Sequence, residues 1–103
     1  MMPRDMAIAA IDRTALAMPL SRAGVGETVV ICKVLTGMQE GGGDVGLRLL
    51  ELGFVEGEAL RIIAHGFPGR EPIAVRIGNT TFALRRFEAD HVWVVPALPS
   101  VES

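Results

Sequence analysis

Apolar and polar positions alternate along much of the second half of this chain. Over residues 72–77, Ile73, Val75 and Ile77 fall on one side, with Ala74 and Arg76 on the other. That is the period of a strand with one face on a core. Residues 80–85 repeat it with Phe82 and Leu84, and the intervening Gly78-Asn79 is a two-residue hairpin signal. Residues 28–35 open with Thr28, Val29, Val30 and Ile31, a β-branched run that predicts the clearest strand. Residues 58–67 and 91–95 predict two more, the last stopped by Pro96. Two segments break the alternation. Residues 45–52 take helical spacing, with Asp44 as cap and Gly53 free to adopt the left-handed conformation that ends a helix. Gly57 then turns the chain into the strand at residue 58. Residues 6–18 carry an apolar stripe through Ala10, Ile11, Thr14, Ala15 and Met18, with Asp5 to start it and Pro19 to end it. The pattern leaves open whether that helix docks or frays.

The connections fit this division. Residues 24–27 form a turn, residues 36–44 a glycine-rich connector, and Phe67-Pro68-Gly69-Arg70 a turn with Pro68 and Gly69 in favoured places. Residues 87–90 predict a short turn. Five short strands at intervals of about ten residues, with one inserted helix, predict a mainly β fold and a small closed or nearly closed barrel. The organisation expected is a helical extension over residues 1–18, the barrel over 19–96 and a loose tail over 97–103.

Composition sharpens this picture. The chain has 103 residues, a single domain's worth. Half of them are hydrophobic and the mean hydropathy is +0.38, high for a small soluble barrel. No run is long enough to cross a bilayer, and Asp5, Asp12 and Arg13 interrupt what would be the apolar part of a secretory signal. The expectation is a cytoplasmic protein without direct membrane insertion. So apolar a composition implies surface covered by a partner or by a second copy, a homo-oligomer. The net charge of −2 argues against a nucleic-acid partner.

Candidate chemistry is sparse. The single Cys32 excludes an internal disulfide, and on a strand it is expected to be a small buried hydrophobe. The metal candidates are Cys32, His65 and His91, none of which falls in a metal-ligand spacing. A ferrous site ordinarily needs two imidazoles and a carboxylate converging. No cofactor is expected beyond weak transition-metal binding. Gly41-Gly42-Gly43 lacks the Lys-Ser/Thr of a phosphate loop, and Ser21, Thr28 and Cys32 have no nearby histidine, so no enzyme activity is expected.

The helix carries the more informative signal. At about 100° per residue Val45, Leu49 and Leu52 share one side, while Leu47 and Leu50 fall away from it. Either the corner Phe54-Val55 and the first helix cover so wide an apolar arc, or Leu47 and Leu50 dock a partner. Arg61, Arg70, Arg76, Arg85 and Arg86 are solvated strand-face charges or a surface for an acidic partner, with Arg85-Arg86 expected to pair with Glu88 and Asp90. The candidate partner surface is therefore Leu47, Leu50, Phe54, Arg61 and Arg85. Four Phe, one Trp and no Tyr do not make a polyproline groove.

These residues, in this order, resemble the FeoA family. The resemblance is carried by Met18-Pro19-Leu20, Gly26-Glu27, the segment from Arg48 through Leu52-Gly53-Phe54 to Glu58, Pro68-Gly69-Arg70-Glu71-Pro72, and Phe82 to Asp90. It covers residues 18–95 and leaves residues 1–17 outside. Glu56 stands where the family often has proline. The resemblance implies an SH3-like barrel and a non-enzymatic accessory role in bacterial ferrous iron uptake, beside the GTP-binding membrane permease FeoB. It leaves two alternatives: a metal-responsive regulatory module like the C-terminal SH3-like domain of diphtheria-toxin-type repressors, or a self-assembling structural module.

Overall fold

The computed structural model describes residues 16–37 and 43–97. Six antiparallel strands form one sheet in the order β1-β6-β2-β3-β4-β5. They are β1 Met18–Pro19, β2 Thr28–Val34, β3 Ala59–His65, β4 Ile73–Ile77, β5 Thr80–Leu84 and β6 Val92–Pro96. A 3-10 turn over Leu20–Arg22 follows β1, helix α1 spans Val45–Leu52, and a single helical turn α2 spans Arg86–Ala89. The mainly β fold with one inserted helix is as the patterning predicts. The helix expected over residues 6–18 lies outside the described residues up to Ala15. Met18 belongs not to that helix but to a sixth strand, where it pairs with Val94. Two residues carry no readable period, and Pro19 is tolerated because the strand lies at the sheet edge. Pro96, expected to stop the last strand, is instead its final residue and pairs with Val29.

The alternating residues line a common core. Val29 and Ile31 of β2, Leu60 and Ile62 of β3, Ile73 and Val75 of β4, and Val92 and Val94 of β6 are buried. Leu20, Leu49, Phe54 and Leu84 complete it, and the Phe54 ring meets that of Phe82 edge to face, with centroids 4.9 Å apart. Two bulges alter the alternation. Ile31 pairs with Val94 but Lys33 pairs with Trp93, so Cys32 is the extra residue. Before this bulge the odd-numbered residues of β2 face inward; after it, Val34 packs against the core. Likewise Ile62 pairs with Val75 and Ala64 with Ala74, which makes Ile63 extra and brings His65 opposite the buried Ile73.

Candidate partner-binding surface

Helix α1 is held at both ends by side-chain and backbone caps. Asp44 Oδ1 accepts from the Leu47 N–H at 2.9 Å, satisfying one of the donors that the first turn leaves unpaired. Its other oxygen accepts from the Gly37 N–H at 3.0 Å. At the far end Gly53 takes φ 118. Its N–H reaches Leu50 O at 3.1 Å, and the Phe54 N–H reaches Leu49 O at 3.0 Å. This is the paired closure of a Schellman motif, and the apolar contact that accompanies such a motif is made here by two buried side chains, Leu49 and Phe54. Gly46 fixes the helix against β2. A Cβ there would lie 1.8 Å from the Leu35 carbonyl oxygen, so no larger residue fits without moving the backbone.

The core-facing stripe of α1 is accordingly the buried Gly46 and Leu49 with the half-buried Val45, and it differs from the expected one at Leu52. Leu52 is half exposed at 50 %. The helix ends immediately after it, and the left-handed Gly53 sends Phe54 into the core in its place. Phe54, expected on the partner surface, is wholly buried and faces the core. Leu47 is exposed at 47 % and Leu50 is half-buried. Leu47 and Leu50 are neighbours one turn apart on the helix surface. Leu52 and Val55 are also exposed, at the helix end and just beyond it. Helical spacing alone misassigns Leu52. The glycine after it is the signal that marks the helix end.

The basic candidates divide between two places. Arg85 precedes α2, and its N–H donates to Glu88 Oε1 at 2.8 Å. Glu88 also meets Arg48 of α1 at 3.7 Å, which joins α2 to α1 through an ion pair whose arginine end is exposed and whose energetic value is small. Phe87, exposed, lies beside that pair in sequence. Arg61 stands elsewhere, on the outer side of β3 between Thr28 of β2 and Arg76 of β4. The expected pairing of Arg85-Arg86 with Glu88 and Asp90 takes another form. The Arg86 N–H donates to Glu71 Oε2 at 3.1 Å, and Asp90 accepts from the Ser21 hydroxyl.

The metal candidates are not brought together. Cys32 is exposed on the outer side of β2, not buried as expected, because it occupies the bulge. His65 sits at the end of β3, where its Nδ1 accepts from Arg70 Nε at 3.4 Å and its Nε2 is buried without a partner. His91 Nδ1 donates to Phe87 O at 2.8 Å. Among the described residues no three His, Cys, Asp or Glu side chains are grouped to hold a metal ion. Gly57 leads into β3, and Pro68 and Gly69 lie in the β3–β4 turn. Among the described residues no helix is long and apolar enough to cross a membrane.

Comparison with known proteins gives this architecture a family. FeoA from Stenotrophomonas maltophilia, solved with zinc and described as a prokaryotic SH3 domain protein, is 40% identical. The match covers 75% of this chain and 88% of that one, with a TM-score of 0.64. Iron(II) transport protein A from Clostridium thermocellum is 31% identical over 84% of this chain and 51% of its own, with a TM-score of 0.66. A manganese-dependent transcriptional repressor, 22% identical over 79% of this chain and 42% of its own, shares the fold at a TM-score of 0.64. Comparison with curated proteins finds no match. The SH3-like barrel is therefore the fold of this chain. The model of the FeoA domain matches residues 18–96, and the chain belongs to the FeoA family, an accessory domain family of ferrous iron transport.

Proposed function

We propose that this protein is a non-enzymatic, cytoplasmic accessory of ferrous iron uptake that binds the cytosolic part of a FeoB-type permease and biases its transport or GTP turnover. The observation that carries the reading is the exposed Leu47 with its half-buried neighbour Leu50 on a helix fixed at both ends. A pre-ordered helix presents apolar anchors to a groove without a further ordering cost on binding. Arg48 on the same helix and Arg85 before α2 are both exposed and supply basic charge suited to an acidic partner surface. Membership of the FeoA family supports a role beside FeoB.

The test is calorimetric titration of the isolated cytosolic domain of the cognate permease against this protein, with and without a GTP analogue. Saturable binding is expected, weakened about ten-fold or more by Leu47→Asp, the cost of removing a central anchor. Leu47 is exposed, so that substitution leaves the core intact. Unchanged affinity of a folded Leu47→Asp protein overturns the surface. No binding up to about 1 mM, an interaction of only about 4 kcal/mol, overturns docking on that domain.

A further inference from the structure

The outer faces of β2 and β6 form an open groove of ≈ 660 Å³ walled by Val30, Cys32, Leu35, Trp93 and Val95. Both strands have a neighbour on each side, so the groove offers side chains and no free ladder. The sheet edges are different, and the two edges differ from each other. At one end β1 is two residues long and includes Pro19, the short, proline-bearing edge that discourages pairing with another chain. At the other end β5 runs for five residues, Thr80–Leu84. It contains no charge and no proline, and its register with β4 is unbroken by a bulge. None of the usual edge defences is present in it.

The β5 ladder faces outward at two residues. Ile77 and Thr80 close a two-residue turn and form a hydrogen-bonded pair, and Val75–Phe82 and Ile73–Leu84 follow in the same class. Thr81 and Ala83 therefore point their N–H and C=O groups away from β4. Among the described residues nothing bonds to those groups. Both side chains are small and exposed, and Phe82 between them is half-buried although the Phe54 ring covers one side of it.

We propose that β5 is a dimerisation edge, on which two copies of this chain pair antiparallel about a two-fold axis at Phe82. Thr81 exchanges both backbone bonds with Ala83 of the second copy, and Ala83 with Thr81. Phe82 meets Phe82 across the axis as a non-hydrogen-bonded pair, the class in which side chains approach most closely. The cross-strand row through Thr81 then carries Arg76 of one copy and Ala74 of the other, so like charges never stand opposite. Strand addition draws affinity from the main chain and selectivity from side-chain pockets. Thr81 and Ala83 make no pocket to select a foreign strand, whereas the two-fold pairing doubles every bond and uses up the edge, closing the assembly at two. The inference shares no residue with the α1 surface and does not depend on the permease as partner.

The experiment is sedimentation equilibrium on the full chain, with amide hydrogen exchange read by NMR over the same concentrations. A seam one strand long is small beside a standard interface of about 1,600 Å², so a weak dimer is expected. The mass should rise from one copy to two between about 10 μM and 1 mM, with exchange at the Thr81 and Ala83 amides slowing in step. Ala83→Pro removes an outward donor that β4 does not use, and should raise the dissociation constant about ten-fold or more. Thr81→Lys keeps the backbone intact and should also weaken the dimer about ten-fold, by placing lysine on the edge. Circular dichroism checks both folds, and Thr81→Lys with the exchange data carries the test if Ala83→Pro does not fold. Leu47→Asp should dimerise as the wild type does. A monomer throughout the range overturns the proposal, as does a dimer unaltered in folded Thr81→Lys or a mass rising beyond two copies. Loss of the dimer in Leu47→Asp assigns the contact to α1 and overturns it too. Protection of the Thr81 and Ala83 amides only on adding the permease domain gives the edge to a strand of that partner, and is equally fatal.

Discussion

The α1 corner and the outer face of β2 and β6 are both apolar and both open to solvent, yet they are built in opposite ways. The corner is convex. Its exposed side chains, Leu47 and Leu52, ride on a helix whose Gly46 and Leu49, with Phe54 just beyond its end, are locked in the core. The groove is concave, and its residues are the outward members of strands whose inward members do the packing. A convex face on a rigid base suits insertion into a larger partner. A concave face beside an edge strand suits reception of a short segment. Similar side chains thus acquire different uses from the backbone beneath them.

Substitutions probe that contrast. Phe54→Ala removes the largest buried side chain, at the point where the corner enters the core, and is expected to cost about 3–5 kcal/mol. Against a total stability of about 5–15 kcal/mol, urea denaturation should then show a protein near the edge of folding. A loss of under 1 kcal/mol, roughly that of a surface change, would mean that the corner is not anchored as described. Gly46→Ala forces α1 away from the Leu35 carbonyl and is expected to cost about 1–3 kcal/mol, with permease binding weakened alongside because Leu47 moves. Unchanged stability would show that α1 shifts freely. The smallest effect is expected at Val30→Ala on the groove wall, below about 1 kcal/mol in the same denaturation measurement, since that side chain is only half-buried by the barrel. A loss as large as that of Gly46→Ala would break the contrast by making the groove part of the stabilising structure.

How much was legible in the sequence follows from what each signal reports. The hairpin of β4 and β5 was legible to within a residue, because Ile73, Val75, Phe82 and Leu84 keep an unbroken period around a two-residue turn. Helix α1 was legible at both ends, since Asp44 and Gly53 act locally. The bulges at Cys32 and Ile63 were not, because the extra residue in each is defined by the partner strand and leaves no mark on its own. That is why Cys32 was expected inside and is exposed. The candidate surface was legible only in part. Leu47 and Leu50 follow from the helical wheel, but the exchange of Leu52 for Phe54 in the core depends on the direction in which the chain leaves Gly53. The groove had no sequence signature, as its wall is drawn from two strands distant in sequence, β2 and β6, with Ala17 and Leu35 beside them.

The Asp44 carboxylate has one further consequence. With one oxygen on the Leu47 N–H and the other on the Gly37 N–H, it clasps together the two ends of the glycine-rich connector. Strand β2 and helix α1 are thereby tied to each other across the connector. Each doubling of a flexible loop adds only about 0.6 kcal/mol to its closure. The connector is thus a natural site for lengthening the chain, where an inserted tag or epitope would leave both the barrel and the α1 face in register.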